Sequence, residues 1–300
     1  MKYYVFFLVV IMLCIFMIPP SSSSVIQETL LVTQSIYDKD RIQIYIDDRF
    51  PNNDWIMIHT ILQHLFPFRL SGSMQQSDVI LHPYDQFPYK NDFHLLFSLY
   101  PVSMTWIIPL MMDPVDSIHS LKFALLKNHY SSSFFQKVLS VLRIQLQYPI
   151  QYVDSYHDLD ILWKKGIVNS IFLLCSHPDK FVQLFTYKYR VKIMDWTQWI
   201  DNPRAQILQF YFPNFIRTHI PVSDYRIFSL KQEVPSFGTR LGCYFHKAVD
   251  VSYANALLET VYRNMTILNV QYPFLKHWDA RMMLYCPITE KRHLATEKYD

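Results

Sequence analysis

The feature that most constrains the fold is an alternation of short apolar runs of strand length with longer runs of helical periodicity. It is sustained from residue 42 to the C-terminus. Ile42, Ile44 and Ile46 recur with a period of two, which puts them on one face of a strand. Residues 55–66 carry apolar side chains at helical spacing, with Asn53 or Asp54 as N-cap. Residues 79–81 read as a short buried strand, and 93–100 and 105–110 as two β-prone runs. A helix over 133–142 is capped by one of the serines before it. A strand follows at 150–153, then a helix at 156–165 that stops at Gly166. The unbroken apolar run 167–175 suits a buried parallel strand. Residues 178–187 are helical, 191–194 a strand, 252–263 a long helix, and 266–283 a helical pair broken at Pro273. Strands and helices in alternation give a parallel or mixed sheet covered by helices, an α/β fold.

Several function classes are excluded by what is missing. The only glycines are Gly72, Gly166, Gly238 and Gly242, so no Gly-rich phosphate loop exists and no nucleotide cofactor is expected. The net charge of +3 is scattered, and Lys291–Arg292 is the nearest thing to a basic patch, which argues against a nucleic-acid partner. There is no HExxH, no CxxC and no G-x-S-x-G elbow, so neither a metal centre nor a hydrolase nucleophile is expected. Cys175, Cys243 and Cys286 are either small buried hydrophobes or, in an oxidising compartment, one pair and one free thiol. Asn264-Met265-Thr266 matches a glycosylation sequon, a pattern short enough to arise by chance.

The N-terminus carries a localisation signal. Lys2 precedes an apolar run from Tyr3 to Ile18, followed by Pro19-Pro20 and Ser21 to Ser24. A basic start, an apolar core and small residues behind it are the parts of a signal peptide. The run falls just short of a membrane span, so the alternative is an uncleaved anchor that contacts the membrane through residues 3–18.

From Gln75 onward the order of segments resembles the TAXI family of solute receptors, which serve TRAP-type transporters. The resemblance rests on Gln75-Gln76-Ser77-Asp78-Val79, on Leu96-Phe97-Ser98-Leu99-Tyr100-Pro101, and on Gly166-Ile167-Val168-Asn169-Ser170 with His177-Pro178 after it. It continues in Tyr211-Phe212-Pro213, in Ile220-Pro221-Val222-Ser223-Asp224-Tyr225, in residues 253–264 and in His293 to Tyr299. Asn52-Asn53-Asp54-Trp55 stands where the family starts a helix with glycine and tyrosines, and Ser131-Ser132-Ser133 where it has a glycine-rich helix start. The resemblance implies a two-lobed type II periplasmic-binding-protein fold, with the ligand in a cleft between lobes joined by crossover strands. Residues 1–24 would then be the signal peptide or anchor, 25–112 with 205–300 the first lobe, and 113–204 the second. It implies a non-enzymatic, periplasmic or extracytoplasmic receptor that passes a small organic acid or amino acid, similar to glutamate or 2-oxoglutarate, to membrane transporter subunits.

Three clusters offer the donors that such a ligand needs. Ser131, Ser132 and Ser133 precede a helix, whose N-terminus favours an anion, although one of them could serve only as its cap. Ser71, Ser73, Gln75, Gln76 and Ser77 form a polar loop, either ligand-contacting or ordinary. Ser176 and His177 follow the apolar run, and ligands of open α/β sheets gather at the carboxyl ends of strands; a turn before a helix also carries such residues for local reasons. Trp55 either stacks on a ligand or packs in the core. The competing expectation is a membrane-anchored interaction protein that has kept the receptor fold and lost its small ligand.

Overall fold

The computed structural model describes residues 42–46, 68–84, 88–89, 91–112, 118–196, 207–208, 210–227, 232–276, 278–287 and 290–299. The N-terminal segment 1–24 and the expected helix 55–66, Trp55 included, lie outside the described residues.

Among the described residues ten strands form one mixed sheet: β1 (Gln43–Ile46), β2 (Arg69–Leu70), β3 (Val79–Pro83), β4 (Phe93–Pro109), β5 (Phe123–Leu126), β6 (Gln151–Val153), β7 (Ser170–Cys175), β8 (Val191–Ile193), β9 (Ile216–Pro221) and β10 (Glu233–His246); β2, β5, β9 and β10 are not among the expected runs. Their spatial order is β2-β1-β3-β10-β4-β7-β5-β6, with β8 beside β4 and β9 beside β10. The helices are α1 (Tyr130–Val141), α2 (Tyr156–Lys164), α3 (Lys180–Lys188), α4 (Val251–Gln271) and α5 (Ala280–Met283).

Two strands set the architecture. β4 has 17 residues and β10 has 14, and they run antiparallel to each other. At one end the parallel strands β1, β2 and β3 attach through β3 to residues 241–245 of β10. At the other end β7 attaches to residues 103–107 of β4 and carries the parallel strands β5 and β6. The fold is thus the two-lobed type II arrangement that the resemblance implied: α/β lobes bridged by two crossover strands.

β4 corrects the expectation of two separate runs. Pro101 has no N–H to give the ladder, yet the strand continues through it. The register shows why. From Arg240 to Gly242 β10 advances two residues while β4 goes from Pro101 to Ser98, and β4 gains an extra residue again opposite Cys243–Tyr244. The irregularities absorb the missing donor and leave β10 regular.

The helix boundaries follow local chemistry. α1 is capped by His129 rather than by a serine: its Nδ1 accepts the Ser131 N–H at 3.1 Å. α2 ends before Gly166, whose φ of 67° only glycine adopts without cost. α3 is capped by Asp179, whose Oδ1 accepts from Val182 N at 2.8 Å. α4 runs unbroken to Gln271, so the expected interruption near 264 is absent, while the stop before Pro273 is present. Asn264 is buried inside α4 and donates Nδ2 to the Thr260 carbonyl at 2.9 Å, which leaves the sequon no accessible acceptor. Cys175 and Cys243 are buried and Cys286 is half-buried, and no disulfide joins these three. Among the described residues no helix is long and apolar enough to cross a membrane.

Candidate functional site

The site begins with the alternation along β10. Phe237, Leu241, Cys243 and Phe245 point to one side and join Val102, Met104, Trp106 and Ile108 of β4 in the largest core. That core is continuous through both lobes, from Ile44 and Leu81 to Phe123, Phe134 and Phe172. The opposite face is different. Val234 belongs to a second core with Ile107, Leu173 and Val182, and Tyr244 belongs to a third with Ile80, Phe93 and Leu95. Between these two cores the same face of β10 carries Ser236, Gly238, Arg240 and Gly242. A polar seam therefore crosses the middle of the crossover strands, one side of it in each lobe.

On the side of β7, residues in register share the seam face. Ser103 pairs with both Gly238 and Cys175, and Thr218 of β9 pairs with Ser236. The turn after β7 closes over them. His177 Nε2 lies 3.0 Å from Thr105 Oγ1, and its Nδ1 meets the Tyr225 hydroxyl. Tyr225 in turn accepts the Asp179 N–H at 2.8 Å. Both ring nitrogens of His177 are thus engaged. Burial favours the neutral imidazole, holding His177 down at about 3, and raises the Asp179 carboxyl to about 6 against its bonds to the α3 backbone. The Tyr225 hydroxyl is raised above its ordinary value, by burial first and then by Cys175. The His177–Pro178 peptide is cis.

On the side of β3, Tyr84 donates to Ser98 Oγ, and Ser98 donates to the Tyr285 carbonyl. Arg240 reaches over this pair. Its guanidinium stands 4.6 Å from the centre of the Tyr285 ring and donates Nη1 to the Met282 carbonyl at 3.2 Å. Burial raises the Tyr84 hydroxyl, with Ser98 and Arg240 pulling the other way.

The structure brings two of the three expected clusters together. Ser131 Oγ accepts from Leu174 N at 2.7 Å, tying the start of α1 to the end of β7, beside Ser176 and His177. The hydroxyls of Ser131 and Ser132 are spent internally: Ser131 on His129 Nδ1, at 2.5 Å, and Ser132 on the Leu126 carbonyl. Both residues are buried, whereas Ser133 is exposed and bonds back to Tyr130 O. Ser176 is buried at the mouth of the turn.

The loop cluster lies elsewhere. Ser71 and Ser73 bond to each other, Gln75 Nε2 reaches Tyr89 OH at 3.3 Å, Gln76 is exposed, and Ser77 Oγ donates to Met74 O at 2.7 Å. These residues precede β3, where Val79 pairs with Phe245 and Phe245 with His94. From His94 to Ser103 is nine residues along β4, roughly 30 Å. The cluster therefore stands at the outer end of its lobe, because it enters β3 at the amino end while the seam lies beyond the carboxyl end.

Sequence reasoning passed over Thr105, Thr218, Tyr225, Ser236 and Arg240. The signal was present: residues 233–246 alternate Phe237, Leu241, Cys243 and Phe245 with Ser236, Gly238, Arg240 and Gly242, a strand apolar on one face. Glycine at two positions and Pro235 hid the period.

No family model matches the chain, and no curated protein matches its sequence. Among solved structures it is similar to substrate-binding domain 2 of GlnP from Lactococcus lactis in its open conformation, at 12% identity over 81% of this chain and 96% of that one, with a TM-score of 0.40. It is similar to the arginine-, lysine-, histidine-binding protein ArtJ from Geobacillus stearothermophilus at 8% identity, over 81% and 98%, with a TM-score of 0.45. The regulatory domain of MetR, a LysR family regulator from N. meningitidis, aligns at 11% identity over 75% and 94%, with a TM-score of 0.42.

Proposed function

We propose that this protein is an extracytoplasmic solute receptor of the TAXI type, holding a small organic acid or amino acid between its lobes for a TRAP-type membrane transporter. The observation that supports the reading is the polar seam: two crossover strands welded on one face by a shared core and interrupted on the other by serines, threonines, glycines and an arginine. A shared core on one face is a spine about which the opposite face opens and closes. Solute then acts by shifting that equilibrium, and no bond is made or broken. The signal-like N-terminus supports export, by a cleaved leader or an anchor in the inner membrane.

The test is thermal unfolding of the purified protein against amino acids, dicarboxylates and tricarboxylates. A solute that binds the native state alone stabilises it by about 2.7 kcal/mol at a hundredfold excess over Kd. A shift with one compound class carries the receptor reading. A flat response from folded, ligand-free protein overturns it in favour of an anchored interaction protein that retains the fold. The internal use of the Ser131 and Ser132 hydroxyls is the observation on that second side.

A further inference from the structure

We infer that the outer pole of the lobe built on β5, β6 and β7, the end away from the seam, docks on an anionic phospholipid bilayer. Lys164, Lys165, Lys188 and Arg190 face the headgroups there, and Met111 enters between them. The inference is independent of the receptor reading and holds whether or not the seam takes a solute.

Topology gathers charges that are spread along the sequence. The chain runs β5, α1, β6, α2, β7, α3, β8 in succession. β6 and β7 are parallel to β5, and β8, like β7, is antiparallel to β4. Each helix therefore leaves the carboxyl end of one strand and returns the chain to the amino end of the next, so all three helices end at one pole. β4 ends there too, since its Ile107 pairs with Ile171 and its Pro109 with Val191. Arg143 follows α1, Lys164 and Lys165 close α2, Lys188 and Arg190 close α3, and Lys122 stands immediately before β5. All but Lys122 are exposed, and Lys122 holds its Nζ 5.0 Å from the centre of the Tyr148 ring. Over 107–112, 118–123, 138–151, 160–170 and 184–193, the stretches that form this pole, Asp160 is the one carboxylate. It pairs with Lys188 at 2.5 Å, and none of the other five cations forms an ion pair with a described residue. A helix C-terminus carries about half a negative charge, which one lysine per helix offsets. The rest is surplus, and the local excess is larger than the net charge of the whole chain, +3.

The second observation is apolar. The Pro109 carbonyl accepts the Met112 N–H at 3.1 Å, closing a tight turn, and the Leu110 N–H donates to the Arg190 carbonyl at 3.2 Å. Met111, at the tip of this turn, is 94% exposed. Ile167, just past Lys165 and Gly166, is 45% exposed, and Tyr148 is 39% exposed. Single apolar side chains on a surface carry little meaning, but here three stand among the cations at one end of a lobe. A bilayer interface accepts both kinds of group at once. Its phosphates meet lysine and arginine, and its acyl boundary takes up the methionine and isoleucine. A nucleic acid would satisfy the cations and leave Met111 in water. An acidic protein surface is the alternative that the experiment separates.

The experiment is flotation of the full-length protein with vesicles of equal parts phosphatidylglycerol and phosphatidylcholine, against vesicles of phosphatidylcholine alone, at low and high salt. An apolar contribution from residues 3–18 is common to both vesicles, so the difference between them reads the pole. Binding to the anionic vesicles should be the stronger, and should fall as salt rises. Lys164→Gln, Lys165→Gln and Arg190→Gln together should weaken it roughly a hundredfold, about fivefold for each cation removed. Lys127→Gln, Lys276→Gln and Lys291→Gln together remove the same charge from exposed positions elsewhere, and should leave it within a few-fold. Met111→Ser should weaken it several-fold. All seven positions are at the surface or tolerate polar side chains, and circular dichroism confirms that each variant is folded before it is compared. Equal losses from the two triple variants, or binding indifferent to phosphatidylglycerol, overturn the inference. Capture of the protein by polyglutamate, with vesicle binding untouched by Met111→Ser, assigns the pole to an acidic protein and overturns it as well.

Discussion

His129 shows how much one residue can be asked to do. It caps α1, accepts from Ser131 through Nδ1, and is buried with its Nε2 unpartnered. Burial holds its imidazole at about 4, against 6.5 in an open chain. Between those values the unfolded chain takes up a proton at this site and the native state does not, so stability falls as pH drops from 6.5 towards 4. His177, held at about 3 by burial, and His293, held at about 4 by burial and by His94, act in the same direction. Asp179 opposes them: its native carboxyl keeps a proton up to about 6 where the unfolded one loses it near 3.8, so it lowers stability as pH rises through that window. Three histidines outweigh one acid, and the protein should lose stability on acidification below 6.5. His129→Asn keeps a capping side chain and removes the titration. Urea midpoints between pH 6.5 and 4.5 should then show a slope shallower by about one proton, roughly 1.4 kcal/mol per pH unit. An unchanged slope would mean that His129 titrates normally.

At the scale of elements, the crossover is where tolerance is lowest. An added Cβ at Gly238 would lie 2.1 Å from the Val102 carbonyl oxygen, which belongs to the backbone of β4 and has nowhere to go. Gly238→Ala should cost about 3 kcal/mol or more, the upper end of overpacking, in denaturant midpoints. Gly166→Ala is the instructive comparison. Nothing lies within 4 Å of the new Cβ there, and the cost comes from its φ of 67° alone, about 1 kcal/mol. Equal effects at the two sites would show that β4 can slide away from β10. The same crossing explains why β4 was legible only in pieces: Pro101 reads locally as a stop, and only the irregular pairing with β10 lets the strand pass it.

For the whole molecule, the continuous core decides cooperativity. Ile44, Leu81 and Phe97 at one end and Phe123, Phe134 and Phe172 at the other belong to one apolar body. Neither lobe can lose its packing on that face without exposing the other's. The protein should therefore unfold in one transition, with tryptophan fluorescence, dominated by the buried Trp106 and Trp196, coinciding with far-ultraviolet circular dichroism in denaturant. Two separated transitions would show that the lobes are stable independently and that the spine is weaker than its packing suggests.

Composition and periodicity by themselves determined the α/β class, most strand and helix positions, and the stops at Gly166 and Pro273, because these depend on the chain within a turn or two of the residue concerned. They also placed Ser131 ahead of a helix and His177 at a strand end, since a polar turn beside an apolar run is a local signal. Contacts between separate elements decided the rest. They joined two β-prone runs into β4, spent the Ser131 and Ser132 hydroxyls on β7 and β5, and left the Gln75 loop at the far end of its lobe. They also set Arg240 on the seam face, with Nη1 on the Met282 carbonyl and Nε without a partner. Which donors are used up and which remain available depends on what stands opposite them, and only the folded chain supplies that.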